Sequence, residues 1–294
     1  MSELRIGVSG WSYPEWRGGF YPKGLVQRRE LEYASGRMNS IEINGSFYSL
    51  QSPDSYRKWA DAVPKDFIFA LKGSKFITHT KKLADARVPL ANFFASGVLL
   101  LGAKLGPIVW QFPPWFRFDE KTISSFLSLL PKSSAEAARL SRDNTIKTDA
   151  KRWTKTVSDI ELRYAFEPRH ESFFTPEFIE LLQSRNHALA IADTGNKYPY
   201  AEDVTANFLY IRLHGEGLYT SDYSDTELKR WVRKIKSWKK GGEPRNAVKI
   251  RNSKPVNQPR DVYVYFDNSI LGHAPYDAVQ LANIFENRES TPSV

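Results

Sequence analysis

Short apolar runs with a period of two alternate with longer amphipathic stretches along most of the chain. The runs at 5–9, 40–44, 67–72, 108–111, 164–169, 189–193, 209–214 and 262–268 predict strands. Helical spacing fills most of the intervals, over 26–34, 53–62, 90–101, 121–130, 135–140, 176–184, 225–239 and 275–285, while 195–207 carries only a weak helical signal. The sharpest of these helices is 225–239, where Ser224 and Glu227 form a capping box and Leu228, Trp231, Ile235 and Trp238 share one face. Strict alternation of eight strands with helices predicts an α/β fold, a parallel sheet closed on itself with helices outside it: a (β/α)8 TIM-like barrel. A single domain is expected over 1–288, with a basic inserted loop at about 241–260 and a disordered tail at 289–294.

The strand runs share a second property: each ends in a polar residue. In a barrel the helix-facing positions must be apolar, so a polar column has to face the interior or its mouth. Glu42 and Asn44 share a face, as do Glu167 and Arg169, and Tyr210, Arg212 and His214. Lys72 follows Ala70, Gln111 follows Val109, and Asp193 follows Leu189 and Ile191, so these columns also turn polar toward their C-terminal ends. The eighth strand is ambiguous, with Tyr263, Tyr265 and Asp267 on one face and Val264, Phe266 and Asn268 on the other. The C-terminal strand ends are where barrel enzymes keep their chemistry.

From this ring come the candidate residues. Glu167 is the acid/base candidate, kept ionised by Arg169 beside it, and Asp193 is expected to orient His214 as a second acid/base pair. The mouth is expected to bind a small anionic, phosphorylated or carboxylated, or polyhydroxy molecule, with Arg169, Arg212 and Lys72 holding the anion and Glu42, Asn44, Gln111 and Asn268 as further ligand-binding groups; a nucleic-acid-binding protein or endonuclease-like phosphodiesterase and a non-catalytic scaffold are the alternatives. Lys72 is expected to pair with Glu42 from the adjacent strand, with a Schiff-base role as the alternative. A divalent metal is not expected, because three fixed cations in the ring would repel it, and no organic cofactor is expected. His170 lies on the opposite face from Arg169, and its simplest role is to cap the following loop.

Composition changes this picture in two places. The 294 residues contain 41% hydrophobic side chains, enough for a large core, and no cysteine, which excludes disulfides, thiolate metal sites and a cysteine nucleophile. No apolar run approaches the roughly 20 residues that span a bilayer, and no signal peptide precedes the first strand; the expected location is the cytoplasm. The net charge of +9 is not spread evenly. Residues 229–260 hold twelve basic side chains against one acid, Glu243, a surplus of eleven that leaves the rest of the chain at −2. The pI therefore says nothing about the mouth. Nucleic-acid binding through Lys229 to Arg260 is the alternative partner reading, weighed against a solvated basic face and against its expected place at the bottom of the barrel.

Several stretches together resemble the YecE-like family, a group of barrel proteins of unknown function. They are Gly7 to Pro22 (GVSGWSYPEWRGGFYP), Ile41 to Tyr48 (IEINGSFY), Phe69 to Lys72 with Thr78-His79, Gly106 to Pro114 (GPIVWQFPP), Phe166 to Phe173 (FEPRHESF), Arg212 to Gly215 (RLHG) and Tyr265 to Asn268 (YFDN). The resemblance covers nearly the whole chain and implies a TIM-like barrel with its site at the polar strand ends. It supplies no reaction; likeness to metal-dependent endonuclease or sugar-isomerase barrels is an analogy of fold. Two departures stand out. Asp267-Asn268 replaces the family's usual asparagine pair at strand eight, and 243–260 resembles an insertion beyond the usual length.

Overall fold

The computed structural model describes residues 2–217, 219–251 and 257–288. Eight parallel strands close in sequence order: β1 (Leu4–Ser9), β2 (Ser40–Ile43), β3 (Ile68–Lys72), β4 (Leu105–Gln111), β5 (Tyr164–Glu167), β6 (Ala188–Asp193), β7 (Phe208–Leu213) and β8 (Asp261–Phe266). β1 pairs with both β2 and β8, which seals the barrel. The expected tail, 289–294, lies outside the described residues.

Helices cover the outside: α1 (Glu30–Ser35), α2 (Gly45–Tyr48), α3 (Pro53–Asp61), α4 (Arg87–Ala95), α5 (Glu120–Leu129), α6 (Ser134–Leu140), α7 (Pro176–Gln183), α8 (Asp225–Lys239) and α9 (Ala274–Glu286). α8 has the expected bounds, and both halves of its capping box are made. The helix expected over 90–101 is instead α4 followed by a 3-10 segment, Val98–Lys104, because Gly97 at φ 114 breaks the α-helical path between them. Among the described residues no helix joins β6 to β7, and none is long and apolar enough to cross a membrane.

Strand boundaries follow local chemistry. β4 begins at Leu105 rather than 108, carrying Gly106-Pro107 where its register with β3 shifts between Phe69 and Leu71, so the absent proline N–H falls at an irregularity. β5 stops at Glu167 because Pro168 has no N–H to continue the ladder. Arg169 therefore sits just past the strand end, free to fold over the mouth.

Two apolar layers result. The larger lies between sheet and helices, where Leu189, Ile191, Trp110 and Phe166 face outward among Phe93, Phe126 and Phe178. The smaller fills the barrel with Ala70, Val109, Ala165, Ala188, Ala190, Phe208, Tyr210, Tyr263 and Tyr265. Tyrosines from β7 and β8 take up the space that alanines leave on the opposite strands. Below them Arg163 donates to Asp261 (2.7 Å) and to the Tyr263 hydroxyl (3.1 Å), which closes the N-terminal end with a paired charge.

The basic segment is partly tied into the fold. Lys229 pairs with Asp225, Lys234 with Glu202, Lys249 with Glu243 and Arg251 with Glu180, while Arg260, 1% exposed, donates to the carbonyls of Trp238 and Gly242. The insertion is pinned along the β6–β7 connection: Glu202 N donates to the Val248 carbonyl, and the amides of Ile250 and Arg251 donate to Asp203.

Candidate functional site

At the C-terminal ends of the strands one side chain organises the others. Arg212, on β7 and wholly buried, spends its guanidinium on three carboxylates. Its Nε and Nη2 grip Glu42 of β2 from across the barrel (3.1 and 2.8 Å), Nη1 donates to Glu167 of β5 (2.7 Å), and Nη2 also donates to Asp267 after β8 (2.8 Å). Such a charge is tolerated in a barrel core because three carboxylates surround it and take up Nε, Nη2 and one hydrogen of Nη1. Glu42 is completed by the hydroxyls of Ser9 (2.7 Å) and Tyr210 (2.5 Å).

Glu167 is as fully used. Its second oxygen accepts from Gln111 Nε2 (2.7 Å) and Arg169 Nε (2.9 Å). Burial alone would raise its pKa, but the guanidiniums of Arg212 and Arg169 outweigh burial and hold the carboxyl well below its ordinary range. Asp267 is lowered in the same way, burial being overcome chiefly by Arg212. A carboxylate so held has no proton to donate at neutral pH. The acid half of the role expected for Glu167 therefore does not fit, and the geometry makes Glu167 the group that positions two arginines.

The structure corrects four further expectations. Asp193 does not orient His214. On β6 the large Leu189 and Ile191 fill the helix-facing layer and the small Ala188 and Ala190 face the tyrosines inside, so Asp193 points outward, accepting from Tyr223 Oη (3.2 Å). The carboxylate beside His214 is Asp267, 3.3 Å from Nδ1 but not in line with it, so both ring nitrogens are buried without a hydrogen bond. Burial depresses the His214 pKa and keeps the ring neutral. Asn268 also faces outward, donating to Asp277 of α9 (2.7 Å) and the Ser221 carbonyl (2.8 Å); the eighth strand turns its Tyr263–Tyr265–Asp267 face inward. Arg212 is committed to three carboxylates of the protein itself rather than left open to hold an anion. Lys72 does not pair with Glu42, whose oxygens Arg212, Ser9 and Tyr210 already hold.

Lys72 is thus set apart. It is 7% exposed, its Nζ lies 4.3 Å from the centre of the Phe47 ring, and among the described residues no carboxylate stands within 4.0 Å and no acceptor is bonded to it. Burial, with the nearby charge of Arg212, lowers its pKa to about 8. Beyond its hold on Glu167, Arg169 reaches only the Tyr219 hydroxyl at 3.4 Å and stacks 4.6 Å from the Tyr198 ring centre.

Around these two cations stand groups the sequence did not single out. His79 lies on one turn of π-helix, Phe76–Thr80, a distortion that often serves a site. Its Nδ1 bonds the Thr78 hydroxyl (2.8 Å), and its ring packs edge-on to Phe47 and Trp115. Burial first, then the charges of Lys72 and Arg169, lowers its pKa to about 4, so it is a neutral imidazole. Tyr219, at the sterically costly φ of 82, lays its ring against His214. Asn44, which the sequence does name, keeps its Oδ1 buried without a hydrogen-bond partner among the described residues. Tyr198 and Tyr219 come from irregular loops without periodicity to flag them. His79 stood in a family-like stretch, but nothing in its spacing marked it. His170 bonds Ser172 and caps the turn after β5, as expected.

A metal would have to displace Arg212, since the guanidinium occupies the point where Glu42, Glu167 and Asp267 converge.

Comparison with known proteins agrees with this architecture. Residues 5–293 match the model of a family described as "Protein of unknown function DUF72". A curated relative, the UPF0759 protein YunF of Bacillus subtilis, is 21% identical over 96% of this chain and 95% of its own length. The UPF0759 protein YecE of Escherichia coli is 27% identical over 44% of each chain. Among solved structures, a DUF72 family protein from Thermotoga maritima superposes with a TM-score of 0.70 at 23% identity, covering 97% of this chain and 99% of the other. One from Enterococcus faecalis gives 0.66 at 18%, covering 99% and 98%.

Proposed function

The chain belongs to the DUF72 family, which fixes the barrel and leaves the chemistry to its mouth, and from that premise we propose that the mouth binds a small carboxylated or phosphorylated molecule through Lys72 and Arg169. The observation that carries this reading is the unspent capacity of Lys72: a nearly buried amine with none of its donors used, facing a site whose carboxylates are all committed elsewhere. A buried cation without a partner is costly, and an anionic ligand would satisfy it. Glu167 fixes the Arg169 guanidinium at the same mouth, and Phe47, Trp115 and Tyr198 supply flat walls for a carbon skeleton or sugar ring. In the basic segment, Lys234, Lys249, Arg251 and Arg260 are engaged within the fold, which reduces the charge it offers to a nucleic acid.

Thermal denaturation with inorganic phosphate and with citrate tests this. Near-saturating ligand should raise the Tm of the wild type by about 5 °C or more. Phosphate and citrate also stabilise proteins by exclusion from their surfaces, so the informative quantity is the part of the shift lost in Arg169→Gln. That part should fall as pH rises from 7 to 9, because Lys72 loses its charge around pH 8. Equal shifts in wild type, Arg169→Gln and Lys72→Gln at every pH would remove the reading.

A further inference from the structure

We propose that Lys72 is a nucleophilic amine that condenses with the carbonyl group of an anionic aldehyde or 2-oxo acid held at the mouth, forming an imine. The inference deepens the anion-binding reading and rests on it, but its own basis is the setting of the Lys72 nitrogen. Three features distinguish that nitrogen from an ordinary strand-end cation. It projects from the last residue of β3 into the barrel mouth, where only 7% of the side chain's surface is exposed. Glu42, Glu167 and Asp267, the acids that would keep it an ammonium, are already bound to Arg212. Its nearest described neighbour of note is the face of Phe47, which can attract an ammonium but cannot accept its proton at a lone pair.

The consequence is a substantial neutral fraction at physiological pH, since burial brings the pKa to about 8. The reaction balances without any redox partner. The amine lone pair forms an N–C bond to the carbonyl carbon while the carbonyl oxygen takes up a proton, giving a carbinolamine. The C–O bond then breaks, the oxygen leaves as water with both hydrogens formerly on nitrogen, and an N=C bond remains. His79 is suited to relay these protons, being a neutral imidazole whose depressed pKa is partly due to Lys72. Arg169 would hold the carboxylate of the substrate, and its tether to Glu167 fixes where the carbonyl is presented. Replacing a buried ammonium by an uncharged imine also removes an unpaired charge from the mouth.

The experiment uses the unmodified protein, so it does not depend on a variant folding. Wild type is incubated at pH 7.5 with cyanoborohydride and either glyoxylate, an anionic aldehyde, or glycolaldehyde, a neutral one of similar size. Adducts are then located by peptide mass spectrometry, with exposed Lys65 as the internal reference. Lys72 should be modified by glyoxylate at least about tenfold faster than Lys65, a margin that should shrink as pH rises past 8, where Lys72 is already neutral. It should also prefer glyoxylate to glycolaldehyde, and Arg169→Gln should abolish that preference. Modification of Lys72 no faster than Lys65 overturns the proposal. If the phosphate-dependent Tm shift nonetheless persists, the anion site stands and only the amine chemistry fails. Fast modification by both aldehydes alike, untouched by Arg169→Gln, overturns the assignment of an anionic substrate and with it the proposal as stated.

Discussion

Replacing Arg212 with Met should cost the folded barrel at least about 3–5 kcal/mol near pH 7, the range for removing one partner of a buried ion pair. Three carboxylates depend on this side chain, so the loss should lie at the upper end or beyond, and the protein should be marginal at best. The dependence on pH provides the sharper test. In the wild type, Glu167 and Asp267 have pKa values below their unfolded ones. Their stabilisation is therefore complete above the ordinary carboxylate range, near 4.5 for Glu and 3.8 for Asp, and is lost as pH falls through the lowered values. Without Arg212 the strongest opposition to burial is gone, Arg169 remaining only at Glu167, and the folded-state pKa values rise, so the folded state binds protons sooner than the unfolded one. Arg212→Met should consequently gain stability as pH falls from 7 to 5, where the wild type gains none from these groups. Urea midpoints across that range decide the matter, and parallel pH profiles for the two chains would show that Arg212 is not the counter-charge. Adding Glu42→Gln and Glu167→Gln to Arg212→Met should restore part of the stability, because the orphaned charges disappear with their partner.

Lys72→Met should have the opposite sign: a more stable protein that no longer binds its anion. The folded-state pKa of about 8 lies below the ordinary 10.5, so the unfolded chain binds more protons between those values and wild-type stability rises with pH across that window. Below pH 8 the full cost of the buried ammonium is present, roughly 3 kcal/mol at 1.36 kcal/mol per pKa unit. Methionine keeps most of the length and removes the charge, so Lys72→Met should exceed wild type by up to that amount at pH 7, with the advantage fading as pH rises from 8 to 10.5. Phosphate should narrow the gap, because binding adds for the wild type to the exclusion effect that both proteins share. A residue that costs stability and confers binding is the mark of a site rather than of a scaffold. Should Lys72→Met prove less stable than wild type at pH 7 in anion-free buffer, Lys72 is a structural cation of the ring, and both the binding and the imine proposals lose their footing.

The fold was largely legible because its signal is local and repeated. Period-two runs separated by capped amphipathic helices leave few alternatives to a closed parallel barrel, and β7 even announced its inward face through Tyr210, Arg212 and His214. Where polarity was the guide, the reading failed at β6 and β8. Asp193 was assigned inward because its column ended in charge, whereas the volumes of Leu189 and Ile191 against Ala188 and Ala190 set that face. Asn268 and Asp267 were equally polar, and only the inward packing of Tyr263 and Tyr265 chose between them.

The sequence by itself determined the barrel, the end of it that carries the polar ring, and the membership of Glu42, Lys72, Gln111, Glu167, Arg169 and Arg212 in that ring. These follow from alternation along single strands, which is a short-range property. Who pairs with whom was decided only in three dimensions. Arg212 could have clamped a ligand and Lys72 could have paired with Glu42; instead Arg212 takes all three acids and Lys72 is left without one. That outcome depends on reach across the barrel and on the planar, multidentate geometry of a guanidinium, which a buried carboxylate cluster favours over a single ammonium. It is also what moves the candidate chemistry of the mouth from Glu167 to Lys72.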